Sequence, residues 1–299
     1  MAQGERRAMT DSLQTQCVQL SPQRLLIAMP DGPCWLAATG STSLVPLPGS
    51  KLAAERATLA ASLIEGAVAA GLAEAERAPE IAPYTLPRYI RWLVGNYVFA
   101  GTTPGLFRRG AERLDALGRP DLADFARQKA EEESGHAELA YRDLESLGLP
   151  AAAVVRLLEP PSARAFADRF RACVDSDEPI ALFGFSYCLE RMAVERDRSF
   201  IGRVEAVCPP GIRAFRFLKV HSTVGSDSGH VYEQLAFFES LTGAELTTVV
   251  RTVYETAEML ARQSVIDQAL SDQEIGRRLR AAGIELPRGP GAVEREAAP

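Results

Sequence analysis

Residues 128–147, QKAEEESGHAELAYRDLESL, constrain the fold of this chain more than any other stretch. Apolar positions recur there at helical spacing, so one helix is expected from residue 121 to about 147, with Gly148 as its stop. Glu133 and His136 are three apart and would share a face. Extended in both directions, that stripe holds Leu122, Phe125, Lys129, Leu139, Ala140, Asp143 and Leu147, most of which would face a core. A carboxylate and an imidazole on an inward face are costly unless something pairs them. A metal ion is one such partner. A solvated acidic run beside a satisfied core histidine is the other reading, and the rest of the chain has to weigh the two.

Two further segments repeat the pattern. Residues 180–204 read as one long helix in which Ile180, Phe183, Tyr187, Glu190, Val194 and Asp197 recur at spacings of three and four. Glu190 therefore sits inside an apolar stripe, where it needs a metal, a proton or a basic partner such as an arginine. Gly184 lets a neighbouring backbone come close. Phe183, Phe185, Tyr187 and Tyr97 either line an apolar pocket or fill the core, and Tyr187, one turn before Glu190, could offer it a hydrogen bond or an electron. In residues 217–238, Asp227 and His230 are again three apart, ahead of the apolar Val231, Leu235 and Phe238. His221 lies nine residues before His230, which at 100° per residue puts it on the opposite side of an unbroken helix. It joins the same site only if the backbone between is irregular, and Gly225 and the run Ser226–Asp227–Ser228–Gly229 are poor helix formers.

With 299 residues the chain suits one large domain, or a domain plus an appendage. Residues 1–16 are polar and expected to be disordered. Residues 17–78 read as a small β+α module: strand-like runs CVQL, RLLIAM, CWLAA and SLVPL, a hairpin turn at Pro30–Asp31–Gly32–Pro33, then one or two Ala-rich helices over 51–72. This order has some likeness to winged-helix modules that bind a peptide or partner protein; a capping or dimerising appendage is the plainer reading, and a homodimer stays open. A proline-bearing linker covers 74–86. Residues 84–284 are expected to be helical and 287–299 disordered.

Composition excludes several functions. A net charge of -6 leaves no basic footprint for nucleic acid. There is no polybasic run for a membrane surface, no apolar span, and no apolar stretch of a signal peptide near the start. Five scattered cysteines without C-x-x-C spacing suit a reducing cytoplasm better than a disulfide framework or a zinc ribbon. The chain has three histidines, His136, His221 and His230, all in the segments above.

The order E-x-x-H followed by HAEL, then a P-x-A-L-x-G…L-E helix, then H…D-x-x-H, resembles the heme-oxygenase-like di-iron oxidases, or iron-containing redox enzyme family. The likeness covers about residues 87–265. It implies a mainly α chain with a heme-oxygenase-like helical bundle. It also implies metal ligands: Glu133 and His136 as the first pair, Glu190 as the glutamate bridging two irons, Asp227 and His230 as the D-x-x-H, and His221 as the histidine before it. The family usually spaces this last segment H-x-x-x-D-x-x-H, whereas here the first gap is two residues longer. Glu132, four before His136, is an alternative to Glu133. Such nitrogen and oxygen ligands suit Fe(II), or Mn, rather than structural zinc. The resemblance implies two irons per chain, one of them labile if His221 fails to bind, with O2 as oxidant and an external electron donor. The substrate would be a small amino-acid-like or fatty-acid-like molecule, undergoing N-oxygenation, oxidative C–C cleavage or decarboxylation. Two other readings compete: a metal-free enzyme on the same scaffold, like the thiaminase-II or PQQ-maturation relatives, and a non-enzymatic helical binding protein.

Overall fold

The computed structural model describes residues 16–29, 33–74 and 84–287. Residues 1–15 and 288–299 of the ends expected to be disordered lie outside these residues, whereas Gln16 is in a strand; the middle of the linker and Pro30, Asp31 and Gly32 of the first turn also lie outside. The strands are β1 (Gln16–Ser21), β2 (Arg24–Ala28), β3 (Cys34–Ala38) and β4 (Leu44–Pro46), followed by α1 (Lys51–Arg56) and α2 (Leu59–Glu74). Then come α3 (Leu86–Ala100), α4 (Thr103–Ala116), α5 (Pro120–Glu132), α6 (His136–Ser146), α7 (Ala151–Leu158) and α8 (Pro161–Asp175). The last described helices are α9 (Ala181–Ala193), α10 (Arg198–Val207), α11 (Arg216–Val220), α12 (Asp227–Phe238), α13 (Gly243–Gln268) and α14 (Asp272–Ala281). The chain is mainly α with a small N-terminal sheet, as the periodicity predicts.

Among the described residues two compact units are distinguished. One takes 16–74 with 183–188 and 231–261; the other takes 84–182, 189–230 and 262–287. In the first, β1 to β4 form an antiparallel meander in sequence order. Strict alternation puts Val18, Leu20, Leu26 and Ala28 on one buried face, and the register pairs Val18 with Leu26. Ser50 caps α1 by accepting from the Ala53 N–H, and α2 packs on the sheet so closely that a Cβ on Gly66 would lie 3.0 Å from Cys34 Sγ. Inside this unit the Tyr187 hydroxyl donates to buried Glu65, which also accepts from Ser50.

The second unit is built around α3, which packs against α6, α7 and α8. Tyr89, Ile90, Leu93 and Val94 of α3 join Ala140, Leu144, Val154, Phe217 and Leu279 in one apolar core. Asp267 holds the flank of α3: its carbonyl accepts from Arg91 at 2.6 Å. Two expected long helices are broken here. The helix over 121–147 divides into α5 and α6 because Gly135 takes φ 87°, a left-handed conformation that a side chain disfavours. The helix over 180–204 ends at α9, and the Asp197 carboxylate restarts the chain as α10 by accepting from the Phe200 N–H. The segment 212–241 becomes α11, a loop and α12.

Candidate metal centre

The sequence-predicted site residues all belong to the second unit. Glu133 caps the end of α5 and His136 is the first residue of α6, so the pair spans the break rather than sharing a helix face. The Glu133–Ser134–Gly135 turn still brings the side chains together: His136 Nδ1 is 3.1 Å from Glu133 Oε2.

His221 reaches the same place because the backbone is irregular where the sequence suggests it. The chain leaves α11 at Val220 and turns through Ser222–Ser226 before α12 begins at Asp227. Gly225 makes this turn possible, since a Cβ there would collide with the Val220 carbonyl. The start of α11 is pinned by Asp143 of α6, whose carboxylate accepts from the Phe217 N–H at 3.0 Å and from Arg216 at 2.9 Å. The His221 and His136 rings then meet edge to face with centroids 4.8 Å apart. Glu133, His136 and His221 form a trio whose possible ligand atoms lie within 4.8 Å of one another, and among the described residues no other trio does this.

Asp227 stands behind the trio. Its Oδ2 is 2.9 Å from His221 Nδ1, which leaves His221 Nε2 buried with no hydrogen-bond partner among the described residues. This carboxylate–imidazole arrangement fixes the ring and directs its free nitrogen, as commonly seen behind metal-ligating histidines. A buried ring nitrogen left unpaired costs about 1–3 kcal/mol unless something binds it. Two nitrogens and one carboxylate converging from different segments therefore fit a divalent metal ion.

The remaining two predicted ligands, Glu190 and His230, gather separately with Glu132, the alternative to Glu133. His230 Nε2 lies 3.5 Å from Glu132 Oε2, and His230 Nδ1 lies 3.9 Å from Glu190 Oε2. Lys129, fully buried, joins them: its Nζ is 2.9 Å from Glu132 Oε2 and 3.5 Å from Glu190 Oε2. Glu190 therefore has a lysine as a basic partner. The importance of Lys129 was the main omission of the sequence reading, although it lies on the inward stripe seven residues before His136.

Charges are strongly coupled here. Burial works against an ionised Glu133, but the His136 hydrogen bond and the neighbouring His221 and Lys129 outweigh it and hold the carboxyl below its usual range. Burial likewise opposes an imidazolium at His221, and Asp227 and Glu133 overcome it, raising the ring above the ordinary histidine value. Burial would lower Lys129; Glu190, Glu132 and Glu133 more than compensate, so its ammonium is held above the usual lysine value.

A scan against protein-family models gives no match, and a search of curated proteins gives none either. Solved structures do match. A domain of unknown function with a heme oxygenase-like fold from Shewanella denitrificans superposes with a TM-score of 0.54 at 16% identity, over 74% of this chain and 87% of that one. This chain has a heme oxygenase-like fold. A TenA homolog from Pseudomonas syringae pv. tomato aligns with a TM-score of 0.51 at 13% identity, over 73% of this chain and 98% of that one. At these identities the likeness is one of scaffold. No helix among the described residues is long and apolar enough to cross a membrane.

Proposed function

We propose that this chain is an O2-activating non-heme iron oxidase or oxygenase acting on a small metabolite. The observation that carries the reading is the convergence of Glu133, His136 and His221. Two imidazoles and one carboxylate, with coordination positions left for O2 and substrate, form the ligand set of many mononuclear Fe(II) oxygenases. Iron bound there supplies one-electron and O2 chemistry that side chains lack. The chain's own contribution is to hold the ligands. Asp227 fixes the His221 ring, Asp143 anchors the helix that delivers it, and the Gly135 break sets the entry of His136. The amino-acid-like or fatty-acid-like substrate and the cytoplasmic setting belong to the same proposal.

The test is anaerobic reconstitution with ferrous iron, metal analysis, and O2 uptake with a reductant. Bound iron that is lost in Glu133→Ala and His221→Ala, together with O2 consumption, is the expected result. A parent protein that takes up no iron would sink the reading. A metal-free enzyme on this scaffold is the second reading. It is favoured by the fact that Glu133, Lys129 and His221 already have charged or hydrogen-bonding partners within the protein. Activity unaffected by chelation and by Glu133→Ala would select it.

A further inference from the structure

The two oxygens that Lys129 approaches, Glu132 Oε2 and Glu190 Oε2, are the same two that the His230 nitrogens approach. Two carboxylates and an imidazole would be a reasonable donor set for a second divalent ion. The place between those oxygens is taken by the protein's own cation. Lys129 is fully buried, and Glu190 is only 6% exposed. The ammonium arises from α5 itself, one turn before Glu132, so it enters the cluster from the same helix as that carboxylate, while Glu190 comes from α9.

We propose that Lys129 replaces a second metal ion, so that the centre binds one ion, at Glu133, His136 and His221, beside a fixed ammonium. This inference rests on the metal-binding reading above and refines it. It departs from the two irons per chain that the family resemblance implies. Nζ lies 2.9 Å from one of these oxygens and 3.5 Å from the other, so a divalent ion bonded to both carboxylates would stand close beside it, and two cations that close in one buried pocket repel strongly. The lysine also matches the charge of the carboxylates only in part, which leaves the trio at Glu133 to accept the single ion.

The experiment is metal stoichiometry on the intact chain, using anaerobic titration with Mn(II) followed by metal analysis and EPR. Lys129→Met removes the ammonium at similar length, and Lys129→Arg keeps the charge and serves as the fold control. One Mn(II) per chain is expected in the parent and in Lys129→Arg. Lys129→Met should take up a second equivalent, and its EPR signal should show spin coupling between neighbouring ions. Two equivalents in the parent would overturn this inference while leaving the proposed function standing. None in the parent would remove the metal reading itself. If Lys129→Met folds, as judged by circular dichroism, yet still binds a single uncoupled ion, Lys129 is not the filler and the inference fails. Should Lys129→Met fail to fold, the parent stoichiometry still decides: one ion supports the inference and two overturn it.

Discussion

Gly184 lies outside the candidate centre, yet a single methyl group there should be damaging. It sits in α9 with the backbone of α13 against it. An added Cβ would stand 2.6 Å from the Val249 carbonyl oxygen and 3.0 Å from Cβ of Thr252. Carbon pairs sit best at roughly 3.5–4.0 Å, so the two helices must part by about 0.5–1 Å. Neither obstacle is the far end of a flexible side chain. Overpacking of this kind costs about 1–3 kcal/mol. Replacing a helical glycine by alanine returns at most about 1 kcal/mol through helix propensity. Gly184→Ala should therefore lose about 1–2 kcal/mol, or roughly 2–8 °C in Tm. Gly202 supplies the control: it lies within α10, and a Cβ there would meet nothing within 4 Å. Gly202→Ala should gain up to about 1 kcal/mol. Urea unfolding followed by circular dichroism measures both. A Gly184→Ala midpoint at or above the parent, or a larger loss at Gly202, would refute the claim that α9 and α13 touch through backbone.

Other consequences can be tested alongside. Tyr187→Phe leaves buried Glu65 without its phenol donor and should cost about 1–3 kcal/mol in urea melts. Asp143→Ala strands the Phe217 N–H and should both destabilise the protein by a similar amount and weaken metal uptake, because α11 delivers His221; Asp143→Asn, which keeps an acceptor, should do less. Burial also pushes the Asp143 carboxyl above its ordinary value despite its hydrogen bonds. The folded state therefore holds that proton more tightly, and stability from this group falls as pH rises from the ordinary carboxylate value through the raised one. A stability-versus-pH series should show that slope in the parent and not in Asp143→Asn. Burial pushes the Cys34 and Cys208 thiols up to about 11, while Cys17 is exposed. Alkylation near pH 8 should label Cys17 first by peptide mass spectrometry, with Cys34 and Cys208 reacting only as pH approaches 11 or the protein unfolds.

Periodicity made the helical content and the four strands legible because both are repeated over many residues. Val18, Leu20, Leu26 and Ala28 alternate as a half-buried sheet must, and helices occupy the span from 84 to 284 expected to be helical. Helix breaks were less legible. The stripe through residues 121–147 continues across Gly135, so spacing alone predicts one helix, while a single left-handed residue divides it. At residues 193–198 a side-chain cap, Asp197, competes with a continuing apolar pattern and wins locally.

The same irregularities account for how the site was read. A nine-residue gap between His221 and His230 argues against a shared face only if the helix is unbroken. Gly225 makes the break, and the turn it permits sets His221 beside His136 and Asp227 rather than beside His230. Six chemically similar candidates thus divide in space into Glu133, His136 and His221 with Asp227 behind them, and Glu190 and His230 around Lys129 with Glu132. Counting ligands along a sequence cannot reveal that division, because both groups draw residues from α5 and from the 217–238 segment. The usable signal was the lysine. An ammonium on an inward stripe, one turn from two carboxylates that also face inward, must pair with something buried. Its partners are Glu132 and Glu190, and Glu190 is the acid that the family resemblance would place between two irons.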